Sequence, residues 1–225
     1  APSQLLFNKA KISHLRKFRI EKLNYGIDID TWKNVVRISD KEKYFKNIRK
    51  YVTFIANNVS EERKGFKFLL NNYHVFQENN LHLLIVGRHD QLNLNFSDYP
   101  LFHFLGSISN KSSLVSVLSN SQCTLIPSIA DNFPFVGLES LSCGTPILTS
   151  SECGLVDILN KKSFGTVVSI SVFQSGSFIS ELIQIIANLE DNPDNRFKNA
   201  CFIRKNHSFK SMEHKFLDIC NYFGT

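Results

Sequence analysis

The hydrophobic positions of this chain fall into short continuous runs, separated by longer stretches of helical periodicity. Because the runs are continuous rather than alternating, they are typical of strands in a parallel sheet that helices cover on both faces. Strands are predicted at Val52–Ala56, His82–Gly87, Leu101–Leu105, Cys123–Pro127, Pro146–Ser150 and Thr166–Ser169. Helices are predicted at Gly65–Phe76, Lys111–Asn120, Gly137–Ser142, Val156–Leu159, Ser177–Leu189, Asn195–Asn206 and Ser211–Phe223. This alternation predicts an α/β fold with an open, doubly wound parallel sheet of the Rossmann type.

Residues 1–50 do not follow this alternation. They predict a connecting helix, a turn at Asn24-Tyr25-Gly26 and a second helix around Lys41–Lys50. We therefore divide the chain into three parts. Residues 1–50 are an inter-domain connecting segment with the start of a C-terminal domain, residues 51–205 form the Rossmann-like domain, and residues 206–225 form a C-terminal helix.

Positive charge is concentrated in the first part. Residues 1–50 hold half of the 26 Lys and Arg residues but only a quarter of the 20 Asp and Glu residues, in a chain of net charge +6. Such a surplus is found on surfaces that bind nucleic acid or anionic membranes, and also on plain solvated helices. Because no RNA-binding motif or zinc finger accompanies it, we expect no nucleic-acid partner, and a peripheral contact with an anionic membrane stays open.

The five cysteines show no C-x-x-C spacing and no neighbouring pairs of His. This pattern argues against a disulfide framework or a zinc site and favours a cytoplasmic location. No apolar run approaches the roughly 18 residues that a membrane-spanning helix needs.

The segment with the most chemical information follows the fourth predicted strand and runs from Pro127 to Pro146. It contains a polar loop, a short helix and a Gly-Thr-Pro turn. Asp131 and Glu139 are suited to bind sugar or ribose hydroxyls, the alternative being that Asp131 and Asn132 only cap the helix. Free backbone amides at the helix start form a positive site suited to a phosphate, and a glycine there lets a ligand approach closely. These amides belong to Phe135, Val136, Gly137 and Leu138.

This segment resembles the E-x7-E region of glycosyltransferase family 4 and the A-C-G-T-P turn that follows it in that family. The matching residues here are Asp131-x7-Glu139 and Ser142-Cys143-Gly144-Thr145-Pro146. The Asp131-Asn132-Phe133-Pro134 version is most like the branch that makes bacterial surface polysaccharides. Further weak motifs occur in the family's order, at Ala1-Pro2-Ser3-Gln4, Asn24-Tyr25-Gly26-Ile27-Asp28, Arg63-Lys64-Gly65, Leu84-Ile85-Val86-Gly87, Phe104-Leu105-Gly106 and from Phe209 onward.

The resemblance implies the C-terminal half of a GT-B fold. Such a domain binds a UDP- or GDP-sugar for transfer, with retention of anomeric configuration, to a glycan or lipid-linked acceptor. Lys64 matches the family's lysine on the donor diphosphate, and Glu139 matches the carboxylate that binds the ribose. Asp131 stands where the family has a Glu on the transferred sugar, and it is one methylene shorter. We predict Lys64, Asp131 and Glu139 as the catalytic residues.

The chain departs from the family at the diphosphate. The usual Gly-Arg after the first strand is absent, and Ala56-Asn57-Asn58 stands there instead. Arg63 and Arg88 are the candidates to supply the missing guanidinium. Gly106 and Asn132 complete the predicted donor-binding residues, together with the amides at the helix start.

No cofactor and no bound metal are expected by the resemblance. Asp28-Ile29-Asp30 has the D-x-D spacing of a metal-binding motif, but we interpret it as a capping or surface segment. None of the seven His matches a catalytic motif of the family, and the acceptor-binding half is missing. We therefore expect this chain alone to transfer sugar weakly or not at all. Two alternatives remain, namely a GT-B type sugar-nucleotide epimerase and a non-catalytic nucleotide- or nucleic-acid-binding module.

Overall fold

A parallel sheet of six strands forms the centre of the computed structural model, which describes residues 1–33, 48, 50–89, 92–159 and 164–223. The strands coincide with the six predicted ones, and every strand pair is parallel. Helices cover both faces, so the predicted doubly wound α/β fold is confirmed. The strands are β1 Tyr51–Asn58, β2 His82–Arg88, β3 Phe102–Gly106, β4 Thr124–Ile126, β5 Ile147–Ser150 and β6 Gly165–Val168.

The order of the strands is β3-β2-β1-β4-β5-β6. The chain first builds outward from β1 in one direction and then returns to add β4 on the other side, where Thr53 pairs with Thr124. In open parallel sheets, ligands bind beyond the carboxyl ends of the strands at the point where the order reverses. The fold therefore places a ligand-binding crevice after β1 and β4.

Nine α-helices lie within the described residues. They are α1 Gln4–Ile12, α2 Phe66–Asn71, α3 Tyr73–Glu78, α4 Lys111–Asn120, α5 Phe135–Ser142, α6 Ile170–Ser175, α7 Phe178–Asp191, α8 Asp194–Asn206 and α9 Phe209–Phe223. Short 3-10 helices lie at His14–Lys17, Glu62–Lys64 and Phe96–Asp98.

Two apolar clusters lie on opposite faces of the sheet. One is rich in aromatic rings and packs α2, α3, α6 and α7 against the strands through residues such as Phe66, Phe76 and Phe178. The other joins α4, α5 and α8 through residues such as Leu118, Leu138 and Ile203. Burial of apolar surface at this scale is the main stabilising contribution to the fold.

The predicted helix Gly65–Phe76 is two helices, because Asn72 interrupts it. The amide Nδ2 of Asn72 donates to the carbonyl oxygens of Phe68 at 2.8 Å and Phe173 at 3.1 Å. These bonds hold the interruption and connect it to the end of α6, a helix that the sequence pattern did not predict.

The predicted helix Val156–Leu159 is wrong. That segment forms successive turns in which Ile158 and Leu159 donate to carbonyls three residues earlier, at 2.9 and 3.2 Å. The preceding Gly154 donates to the carbonyl of Asp131 at 2.9 Å. A Cβ on Gly154 would lie only 1.6 Å from the carbonyl oxygen of Asn132. This close approach holds Gly154 against the loop after β4, and the residues up to Ile158 continue as turns.

A chain of buried hydroxyls fixes α5 to the sheet. Thr53 Oγ1 on β1 lies 2.9 Å from Thr124 Oγ1 on β4, which in turn lies 2.8 Å from Ser140 Oγ on α5. Ser140 Oγ also lies 3.0 Å from the carbonyl of Thr145. Because buried polar groups are costly unless paired, this network favours one position of α5 relative to the switch point.

The N-terminal segment contacts the end of the chain. Ile27 donates to the carbonyl of His207 at 2.8 Å and accepts from the amide of Phe209 at 3.2 Å. Ser142 on α5 donates to the carbonyl of Trp32 at 2.6 Å. The predicted helix around Lys41–Lys50 lies largely outside the described residues. The division at residues 50 and 205 stays a prediction.

Candidate functional site

Two loops meet at the switch point between β1 and β4. The 3-10 helix Glu62–Lys64 follows β1, and its end is held against Pro127 at the end of β4. The amide of Ile129 donates to the carbonyl of Arg63 at 2.8 Å. Gly65 has φ 76°, and a Cβ there would lie 2.0 Å from the carbonyl oxygen of Pro127. Only glycine allows this approach without strain, so Gly65 brings the basic residues before it to the loop after β4.

Lys64 and Asp131 form an ion pair across this contact. Lys64 Nζ lies 2.7 Å from Asp131 Oδ2, and the two side chains are 20% and 12% exposed. The backbone of Asp131 is fixed independently, because its amide donates to the carbonyl of Glu152 at 3.3 Å and its carbonyl accepts from Gly154. A partly buried, charge-assisted hydrogen bond of this kind holds the ammonium group of Lys64 in one place.

Arg63 lies at the edge of the same site. Its Nη1 is 3.7 Å from Asp131 Oδ2, and its Nε donates to Glu61 at 2.5 Å. Arg88, the other candidate, is exposed at the end of β2, where its carbonyl accepts from Val59 at 2.8 Å. Gly106 ends β3 with φ 68°, and a Cβ there would meet no atom within 4 Å. All three lie at the carboxyl edge of the sheet, and the structure brings only Arg63 into contact with Asp131.

Helix α5 begins beside Asp131 without a side-chain cap. Within the described part of the chain, Pro134 occupies the N-cap position and no side-chain cap bond is formed, so the alternative that Asp131 and Asn132 cap this helix is wrong. Asn132 is exposed instead. The amides of Phe135 and Val136 are the first two of the helix, where no intrahelical acceptor exists. An uncapped helix start next to two cationic side chains is a strong electrostatic environment for an anion.

Gly137 has a packing role that its sequence context did not reveal. Its amide donates to the carbonyl of Pro134 at 3.1 Å. A Cβ on Gly137 would lie 2.2 Å from Leu155 Cδ1. The space in the Cβ direction is thus filled by Leu155, which gives a packing reason for glycine here, and the approach of a ligand to Gly137 stays a prediction. The next predicted residue, Leu138, is fully buried in the core.

Glu139 lies one helical turn after Phe135 and so on the same side of α5. Burial raises the pKa of its carboxyl group from the ordinary 4.5 to about 7, and the positive charge of Lys111 acts in the opposite direction. No side chain among the described residues forms an ion pair or hydrogen bond with this carboxyl group. A partly buried carboxylate without a partner is suited to accept hydrogen bonds from a ligand.

Sequence reasoning did not single out Lys111 or the side chain of Tyr25. Lys111 is the first residue of α4, which starts after β3 at the same edge of the sheet. Its position after a predicted strand could have indicated that it lies near the site. The ring of Tyr25 stacks on Phe135 with centroids 5.3 Å apart and an interplanar angle of 10°. Both rings remain exposed, by 40% and 48%. No local pattern relates Tyr25 to Phe135, because they are 110 residues apart.

The D-x-D segment lies in a turn that the side chain of Asp28 stabilises. Asp28 Oδ1 accepts from the amides of Asp30 and Thr31 at 3.0 and 3.2 Å. Within the described ranges, no three His, Cys, Asp or Glu side chains are grouped so as to hold a metal ion. Over the same ranges, no helix combines the length and the apolar composition that a bilayer span requires.

The sequence is similar to those of known glycosyltransferases. Residues 36–200 match the family model of the group 1 glycosyl transferases. The chain is 26% identical over 172 residues to an N,N'-diacetylbacillosaminyl-diphospho-undecaprenol alpha-1,3-N-acetylgalactosaminyltransferase of Campylobacter jejuni, covering 73% of this chain and 44% of that protein. It is also 26% identical over 151 residues to an uncharacterized glycosyltransferase of Methanocaldococcus jannaschii, covering 61% of this chain and 38% of that protein. The chain thus spans less than half the length of these relatives.

Solved structures share the fold over nearly the whole chain. Sucrose-phosphate synthase from Thermosynechococcus elongatus superposes with a TM-score of 0.81 at 15% identity, over 99% of this chain and 57% of that one. Anabaena HepE in complex with UDP gives a TM-score of 0.73 at 16% identity, over 99% of this chain and 63% of that one. Because the family model covers well over half of the sequence, the chain belongs to the group 1 glycosyl transferases.

Proposed function

We propose that this chain is the donor-binding half of a retaining glycosyltransferase of family 4, of the type that makes bacterial surface polysaccharides. It binds a nucleoside diphosphate sugar in the crevice after β1 and β4. The observation that carries the proposal is the pairing of Lys64 with Asp131 beside the uncapped start of α5, at the sheet's reversal point.

Each group has a role that follows from its position. The ammonium group of Lys64, the guanidinium group of Arg63 and the first amides of α5 stabilise the diphosphate, which gains negative charge as the sugar departs. Asp131 contacts the sugar, and Glu139 accepts hydrogen bonds from the ribose hydroxyls. This assignment uses positive charge from the chain itself, so we propose transfer without a bound metal.

The rest of the reaction depends on chain outside this domain. The Campylobacter relative is named for transfer to an undecaprenol-diphosphate-linked sugar, and we propose a glycan or lipid-linked acceptor here as well. An acceptor of that kind places the protein in the cytoplasm, against the inner face of the membrane. The acceptor-binding half supplies the second wall of the cleft, and without it transfer is weak.

The proposal is tested by titrating the chain with UDP and GDP in a calorimeter. We expect one of them to bind, and we expect Glu139→Ala to weaken that binding at least about tenfold, because a charged hydrogen-bond acceptor is lost. Glu190→Gln is the control, since Glu190 pairs with Lys50 at the opposite edge of the sheet. If neither nucleotide binds, or if both variants bind as the wild type does, the assignment of this site is wrong.

The diphosphate contact is tested separately with Lys64→Ala. Its affinity for UDP or GDP should fall far more than its affinity for the uncharged nucleoside, and the loss should shrink as salt rises. Lys67→Ala removes an exposed lysine three residues away and should change neither affinity. Equal losses for diphosphate and nucleoside would show that Lys64 acts only through folding.

A further inference from the structure

The ion pair between Lys64 and Asp131 has a consequence for which ligand the site prefers. The carboxylate of Asp131 is bonded to the same ammonium group that the diphosphate needs, at 2.7 Å. It also lies 3.7 Å from the guanidinium group of Arg63. A diphosphate that approaches these cations therefore approaches a fixed negative charge as well, and like charges at such distances repel.

The backbone of Asp131 is held in place by the chain itself. Its backbone bonds to Glu152 and Gly154 on both sides, and its side chain is 12% exposed. Because Asp131 is mostly buried, water screens its charge only weakly, and the carboxylate therefore repels a bound diphosphate. The carboxylate cannot turn away without leaving Lys64, so the repulsion persists when the diphosphate is bound.

A nucleoside diphosphate and its sugar conjugate feel this charge differently. The free diphosphate carries an additional negative charge on its terminal phosphate, at the end where the sugar would be attached. The conjugate replaces that charge with a neutral sugar, whose hydroxyl groups donate hydrogen bonds to a carboxylate. The same Asp131 is therefore unfavourable for the product and favourable for the donor.

We propose that Asp131 is a specificity-determining residue that makes the site prefer a nucleotide sugar over the nucleoside diphosphate that transfer leaves behind. This inference rests on the proposed function, because it assumes a diphosphate at Lys64. It assigns Asp131 a role toward the product in addition to its contact with the sugar. The competing possibility is that Asp131 only positions Lys64. In that case, the loss of the Asp131 carboxylate weakens the binding of both ligands.

The experiment compares wild type, Asp131→Asn and Asp131→Glu in titrations with UDP and UDP-glucose, and in parallel with GDP and GDP-mannose. Asn keeps the shape and removes the charge, whereas Glu keeps the charge. We expect Asp131→Asn to bind the free diphosphate roughly three- to tenfold more tightly than the wild type, because a like charge is removed. The nucleotide sugar should gain less or lose affinity, and Asp131→Glu should bind the free diphosphate within about twofold of the wild type.

Two results overturn the inference, and they differ from failure of the proposed function. If Asp131→Asn binds the free diphosphate as weakly as the wild type or more weakly, Asp131 positions Lys64 and does not discriminate. If Asp131→Glu tightens diphosphate binding as much as Asp131→Asn does, charge is not the cause. If the wild type binds no diphosphate at all, the proposed function itself fails and this inference fails with it. Circular dichroism of each variant establishes that it folds.

Discussion

Glu139→Gln should make the free protein more stable while it weakens nucleotide binding. Burial raises the pKa of the Glu139 carboxyl group to about 7 in the folded chain, against 4.5 for an ordinary glutamate. The folded state therefore keeps a proton that the unfolded state releases, and folding is opposed as pH rises between these two values. Glutamine has nearly the same shape and does not ionise, so the substitution removes this cost.

The magnitude follows from the pKa difference. At 1.36 kcal/mol per pKa unit, ionised Glu139 costs the fold up to roughly 3 kcal/mol at pH values above 7. Because the side chain is partly exposed, solvent reduces this figure, and we expect a gain of about 1–2 kcal/mol for Glu139→Gln at pH 8. The gain should become small at pH 5, where the folded wild-type chain holds the proton.

Urea unfolding at pH 5 and pH 8 measures this effect through the free energy of unfolding. Glu190→Gln is the matched control, because Glu190 is an exposed carboxylate paired with Lys50. Its substitution should change stability by no more than about 0.5 kcal/mol at either pH. If Glu139→Gln stabilises the chain equally at both pH values, or destabilises it at pH 8, the burial of an ionised Glu139 is not the cause and the reasoning fails.

Two further predictions concern packing and charge. Gly137→Ala should lower the free energy of unfolding by roughly 1–3 kcal/mol, because its Cβ would overlap Leu155. In urea unfolding, adding Leu155→Val to this variant should recover part of the loss. If the effects of the two substitutions simply add, the contact between these residues is contradicted. The basic segment 1–50 should sediment with anionic vesicles at low salt, because each lysine or arginine near such a surface contributes on the order of 1 kcal/mol. Neutral vesicles serve as the control, and added salt should release the protein. If the protein does not bind anionic vesicles at low salt, the basic segment does not contact membranes.

The sheet could be predicted from the sequence because its signal is local. Runs such as His82–Gly87 are apolar on both faces, and a strand buried on both faces needs little else. The helices were less predictable where a side-chain hydrogen bond or a close backbone contact determined where they begin and end. Asn72 interrupts one predicted helix through its bond to α6, and Gly154, packed against Asn132, begins the turns that stand in place of another. Neither contact is visible in a window of neighbouring residues.

The candidate site was predictable in its loops but not in its pairings. The motif resemblance and the rule about strand ends both pointed to the segments that contain Lys64, Asp131 and Glu139. The sequence could not show that Lys64 bonds to Asp131, since the two are 67 residues apart. It also could not show that burial changes the ionisation of Glu139, because the pKa depends on the surroundings that the fold assembles.

Helix α5 combines an uncapped start with a carboxyl group that is costly to ionise. Among the described helices, Ser3 caps α1 and Asn110 caps α4, whereas α2, α3, α6, α7 and α8 begin without a side-chain cap, as α5 does. Beyond its uncapped start, α5 carries a carboxyl group whose ionisation opposes folding, and it exposes the stacked ring of Phe135. Stability alone gives no reason to bury an ionisable carboxyl group one turn after the free amides of a helix start. A bound anion with hydroxyl groups compensates for the free amides and the buried carboxyl group at once, because it supplies a negative partner for the amides and donors for Glu139. The cost of ionising Glu139 next to these amides therefore supports the donor site independently of any motif.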